Sequence, residues 1–163
     1  MRHALPFVLL GAPAFAQGFA QPDLTEIDAG ALSFEGGSFE HVAEPGRLTF
    51  MCASCEDFVA VEAMVGPGDA GTEQRFRAGE TTVADMEALC QERAPECTME
   101  GIEAGAAVGW ISQYETGIGA GSTAVLLRDG EMLTVRSLAG TPELAKANAE
   151  AMVAQIGAQV VGE

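Results

Sequence analysis

The run TAVLLRDGEMLTVRS, residues 123–137, constrains this chain more than any other stretch. Two apolar segments flank Asp129-Gly130, and Asp-Gly between apolar runs specifies a tight hairpin. Glycine takes the positive φ of a type I′ turn without steric cost, and aspartate tolerates it. Both arms are thereby committed to an antiparallel sheet. Upstream, Val108, Trp110, Ser112 and Tyr114 alternate at strand spacing, so a third strand joins the hairpin in a meander. The intervening GIGAGS, 117–122, is expected to be a mobile hairpin loop. Downstream, Thr141-Pro142-Glu143 opens a helix with a capping hydroxyl, a pre-set φ and an acid at the positive end of the dipole. Ala145, Ala149, Met152, Ile156 and Val160 then share one face, which predicts a helix over about 142–158 lying across the sheet.

The first half of the chain is read in the same way. RLTF, from Arg47, places Leu48 and Phe50 two apart and leads a core strand into CASC. Val59, Val61 and Val65 continue as a second strand, and the Gly66-Pro67-Gly68-Asp69 turn predicts that TEQRFR returns beside it. Thr82 followed by Asp85 has the form of a capping box, so a second helix is expected over about 82–93. Val83, Met86, Leu89 and Cys90 would form its inward face. The resulting class is α+β: a mainly antiparallel sheet with a C-terminal three-stranded meander, covered by helices at about 82–93 and 142–158. A meander followed by a helix is similar to the arrangement in the Mog1/PsbP-like proteins. That similarity, over roughly the last 70 residues, is one of architecture and implies a binding or assembly role rather than a specific activity.

Residues 1–16, MRHALPFVLLGAPAFA, have a basic head, a short apolar run and an Ala-x-Ala end, the form of a secretory signal peptide cleaved after Ala16. The apolar run is too short to span a bilayer of roughly 30 Å, so no membrane insertion is expected after cleavage. Arginine dominates the basic residues, Lys146 being the only lysine, a bias of high-GC bacteria. The expected compartment is the periplasm. Residues 17–46, rich in Gly, Pro and acids, are expected to form an extended, partly flexible arm with a short edge strand at 31–35, and 47–163 a single domain. With 24 acidic side chains against eight basic ones, the formal charge is −16. Such a surface repels phosphate backbones and excludes nucleic acid as a partner, leaving a periplasmic protein or a small ligand.

Four cysteines, Cys52, Cys55, Cys90 and Cys97, follow the signal, and an even number in an oxidising compartment marks disulfides. Three connectivities are open; local closure of 52–55 and 90–97 is preferred, because Cys90 ends a helix and Cys97 lies just beyond the Pro95 turn. Two sharper chemistries compete at CASC. A redox pair needs a stabilised thiolate, yet Glu56 and Asp57 follow directly and raise a thiol pKa. Met51, Cys52 and Cys55 resemble the M-x-C-x-x-C loop of heavy-metal-associated copper domains, which implies soft-metal ligation, although Met51 here abuts Cys52. Adding Cys90 and Cys97 gives spacings that fit zinc ribbons poorly.

Other chemistries lack their residues. After signal removal His41 is the only histidine, so a Ser-His-Asp system has one available base, and no G-x-S-x-G elbow is present. GIGAGS leads into a strand rather than a helix, and so lacks the positive field of a phosphate loop. Trp110 and Tyr114 share a strand face and are expected to pack in the core. Arg75, Arg77 and Arg136 are expected on strands, as charge partners of acids or as an anion or partner contact. The chain therefore reads as a disulfide-stabilised, non-catalytic binding or accessory module without a cofactor. The alternative is a thiol–disulfide or Cu/Zn-handling accessory protein using CASC.

Overall fold

The structure, a computed structural model, describes residues 18–163; the expected signal segment 1–16 lies outside the described residues. Seven strands form one antiparallel sheet: β1 (Phe39–Glu44), β2 (Arg47–Cys52), β3 (Ala60–Pro67), β4 (Thr98–Ala104), β5 (Ala107–Thr116), β6 (Gly119–Arg128) and β7 (Glu131–Ala139). Among the described residues three helices accompany them: α1 (Ala70–Arg77), α2 (Val83–Gln91) and α3 (Pro142–Val161). The strand order is β1-β2-β3-β7-β6-β5-β4. The class is α+β, with a sheet larger than the expected three-stranded meander and, among the described residues, a helix α1 that was not expected. Two meanders, β1–β3 and β4–β7, meet where β3 pairs antiparallel with β7 from Ala60↔Leu138 to Pro67↔Glu131.

The β6–β7 hairpin turns at Asp129 (φ 52°) and Gly130 (φ 81°), both positive as a type I′ turn requires. The expected loop at 117–122 is much shorter. Only Gly117 and Ile118 separate β5 from β6, and Gly119 and Gly121 lie within the strand. Gly121 is needed there because a β-carbon would sit 2.5 Å from Cε2 of Tyr114, whose ring lies across it.

TEQRFR is a helix, α1, and not the strand expected from the turn before it. Asp69 caps its N-terminus, accepting from the Gly71 N–H at 3.0 Å and the Thr72 hydroxyl at 2.7 Å. These hydrogen bonds, Thr72 first, hold its carboxyl below the usual aspartate range. Glu73 and Arg77 then form an i,i+4 pair at 2.9 Å, and the buried Glu73 also accepts from the Gly130 N–H. Local capping and helix-forming side chains outweigh the hairpin cue.

The α3 face is the main core. Ala145, Ala149, Met152, Ile156 and Val160 are all fully buried. Ala149 and the larger residues after it pack in one cluster with Phe50, Val61, Leu126 and Leu133, while Ala145 sits with Val59, Ala120 and Ala139 in a smaller one. Helix α2 starts with the expected capping box between Thr82 and Asp85. It lies along the edge of the sheet, where Glu87 accepts from the β4 N–H of Met99 at 2.7 Å. That contact satisfies part of an exposed strand edge. Leu89, expected to face inward, is consequently 62% exposed.

Residues 18–46, expected as an extended arm, contain two 3-10 turns (Leu24–Glu26 and Ala29–Ala31) and strand β1, and they bury Phe19, Leu24 and Ile27 in the core. No strand forms at 31–35. Leu32 and Phe34 pack against the core, while the backbone of the residues between and after them bonds to helix side chains. Gln155 pairs with both backbone groups of Ser33 at 3.0 Å, and Asn148 with those of Glu35 at 2.7 and 3.1 Å. Two amides one heptad apart thus substitute for a neighbouring strand.

Candidate functional site

Side chains alternate across a sheet, so the faces can be assigned from the register. On β2, Leu48, Phe50 and Cys52 face α3, whereas Arg47, Thr49 and Met51 face away. The second face is covered at one end only, where Phe76 of α1 lies over Trp110 with ring centroids 5.8 Å apart. Trp110 and Tyr114 are therefore half-buried on the face opposite α3 and do not enter the main core.

The uncovered end of this face holds a hollow of about 390 Å³ floored by five adjacent strands. Thr49 and Met51 come from β2, Ala60 and Glu62 from β3, Arg136 and Leu138 from β7, Thr123 from β6 and Tyr114 from β5. The ring of Tyr114 is positioned by its place over Gly121, which brings its hydroxyl within 3.2 Å of the Thr123 hydroxyl. Glu62 is held by Arg47 at 2.8 Å. Arg136 is exposed on a central strand and forms no ion pair among the described residues, although the register sets it opposite Glu62. Beside the hollow, a smaller one of about 240 Å³ is lined by Phe58, Ile118, Gly119 and, again, Leu138. Phe58 and Ile118 are exposed.

Arg75 and Arg77 do not join Arg136. Both lie on α1, where Arg75 stands 3.6 Å from Asp69 and Arg77 donates to Glu73 and to the Ala106 carbonyl at 2.8 Å. Of the three arginines, only Arg136 faces the hollow. His41 lies on exposed β1, its ring centroid 5.6 Å from that of Phe50.

Cys52 is bonded to Cys55, and Cys90 to Cys97, with Cα separations of 5.7 and 5.9 Å. The Cys52–Cys55 bond packs on the α3 side, against the small cluster of Val59, Ala120, Ala139 and Ala145. Gly37 lies directly over it: a β-carbon there would be 2.9 Å from the Cys52 sulfur and 3.2 Å from that of Cys55. Met51 points to the other face, into the hollow. The structure thus brings Cys52 and Cys55 together and separates Met51 from them, because adjacent residues of a strand project oppositely. Among the described residues no group of three or more His, Cys, Asp or Glu side chains is arranged to hold a metal ion.

A second apolar groove lies between edge strand β4 and α3, lined by Ile102, Ile111 and Val153 with the carboxylates of Glu103 and Glu150. Its polar groups are all acidic. Lys146 lies on the same helix, bound to Glu100 at 2.7 Å, and that hydrogen bond raises its pKa above the usual lysine value.

No protein-family model matches the sequence, and no curated protein matches it. Thr49, Glu62, Thr123 and Leu138 were not singled out by sequence reasoning. Each sits at an outward position of an alternating strand, a signal that assigns a face but not the neighbouring strand.

Proposed function

We propose that this protein is a periplasmic, disulfide-stabilised, non-catalytic binding module, and that the uncovered end of its sheet is the binding surface. One observation carries the reading: α3 and the segment 18–38 bury the core of one face of the sheet, while the other keeps a hollow with apolar walls, hydroxyls and a cation that forms no ion pair among the described residues. Ligand sites commonly combine a mostly apolar concavity with a few convergent polar groups. The two disulfides fit a role as staples, in keeping with an oxidising compartment.

The test is a thermal-shift screen of the mature protein against a chemically broad panel, repeated on Thr123→Trp, which fills the hollow. Compounds should raise Tm of the wild type and fail to do so in the variant; a panel without a single hit, or hits indifferent to the variant, would sink the reading. Mass spectrometry of periplasmic extract should find a chain beginning at Gln17. The competing reading, dithiol exchange or soft-metal handling by Cys52 and Cys55, requires that this disulfide be reduced readily. A Cys55→Ser variant that loses dithiol turnover shown by the wild type would establish it.

A further inference from the structure

The geometry points to a single-tailed monocarboxylate amphiphile as the ligand of the open face, with Arg136 as its anchor. This inference rests on the binding-module reading and adds the chemical class of the ligand.

Charge is the first argument. Five of the seven described basic side chains, Arg47, Arg75, Arg77, Arg128 and Lys146, are held by carboxylates. Arg93 and Arg136 are not, and of these two it is Arg136 that lines the hollow. In a chain of net charge −16, a cation on a central strand that forms no ion pair among the described residues, its facing carboxylate Glu62 being engaged by Arg47, is set to receive an anion from outside. A guanidinium presents a planar fork of donors that matches a carboxylate. Glu62, one strand away, already accepts from Arg47 at 2.8 Å and limits the tolerable ligand charge. A second negative charge would meet that carboxylate, so a monoanion fits better than a phosphate dianion.

Shape supplies the tail. From Arg136 the apolar wall continues along β7 to Leu138, which lines both the larger hollow and the smaller one beside it. Phe58 and Ile118 stand over the latter, 63% and 98% exposed, with Leu138 at 40% and Met51 at 55%. Four large apolar side chains left to water beside one cation make a surface that is polar at one end and apolar at the other. The Tyr114 and Thr123 hydroxyls, 3.2 Å apart, lie at the polar end and can donate to the second carboxylate oxygen.

The experiment is isothermal titration of the mature protein with sodium dodecanoate, dodecyltrimethylammonium and acetate, each below its micellar concentration, with methyl NMR to locate binding. Dodecanoate should bind and shift the methyl signals of Met51, Leu138 and Ile118, while acetate, lacking the tail, should bind negligibly. Arg136→Gln should weaken dodecanoate by about tenfold or more, the loss expected for one charge-assisted contact. Arg136→Lys should recover part of it, and Arg93→Gln should leave it unchanged. The inference is overturned if dodecanoate does not bind, if dodecyltrimethylammonium binds the same methyls as tightly, if Arg136→Gln is without effect, or if the shifts fall on Ile102 and Val153 instead. Should dodecanoate fail while another compound shifts Met51 and Leu138, the ligand class is wrong and the binding surface stands. Should no compound shift them, both fall.

Discussion

The two faces of one sheet obey the same alternation and end in opposite states. On the α3 face, Leu48, Phe50, Val61, Leu126, Leu133 and Val135 are almost fully buried, beneath α3 or beneath Leu24 and Phe34 of the N-terminal segment. On the other face, α1 covers the Trp110 end, and Met51, Arg136 and Leu138 remain exposed. Burial drives folding in proportion to the apolar area withdrawn from water, so the first face supplies stability and the second is free to serve a ligand. The exposed apolar residues of the second face are clustered, which is the pattern that marks an interaction surface.

Mutation should separate the faces sharply. Ile156→Ala, on the buried face of α3, should cost about 3 kcal/mol, read as a lower midpoint in guanidinium unfolding. Opening the Cys90–Cys97 loop with paired alanines should cost about 2.5 kcal/mol if the bond acts through the unfolded chain, because the ring it closes is short. Asn148→Ala removes both bonds to Glu35 and should cost about 2 kcal/mol, with faster amide exchange in residues 33–36. Equal costs on the two faces would erase the comparison: Leu138→Ala, on the open face, should change stability by less than about 0.5 kcal/mol while weakening ligand binding.

The smallest effect expected concerns acid. Hydrogen bonds to Thr82, its hydroxyl first and then its N–H, hold the Asp85 carboxyl below the ordinary aspartate value of 3.8. A depressed folded pKa means that the unfolded chain binds the proton more readily. The contribution is therefore present above pH 3.8 and fades as pH falls through the lower folded value. An Asp85→Asn variant should show a flatter decline of α2 helicity in that acid window; an unchanged slope would place the sensitivity elsewhere.

Legibility in the sequence followed the range of the interaction. The hairpin at Asp129-Gly130, the capping box at Thr82 and Asp85, and the helix opened by Thr141-Pro142 were readable because each is closed by residues within a few positions of one another. The same range should have exposed α1, where Asp69, Thr72, Glu73 and Arg77 form a capped, ion-paired turn, but the preceding Gly-Pro-Gly-Asp suggested a hairpin instead. The segment at 31–35 was read correctly as alternating and wrongly as a strand. Its partners, Asn148 and Gln155, are more than a hundred positions away, and nothing local marks a helix amide as a stand-in for a strand.

The candidate site lay further from view. Period-two alternation separates Met51 from Cys52, which already argues against a shared metal, since neighbours on a strand face opposite ways. It does not reveal that Thr49, Glu62, Arg136, Thr123 and Tyr114 lie side by side. That depends on β3 pairing with β7, a contact between residues about 75 positions apart whose register local propensity does not encode. The sequence by itself determined the β6–β7 hairpin, the capped helices α2 and α3, the buried face of α3 and a strongly acidic composition, because these arise from backbone preference, periodicity and residue usage. Tertiary structure decided which strands became neighbours, which face α3 covered and where one arginine was left without a carboxylate, because each of these is set by long-range packing of surfaces that are individually ordinary.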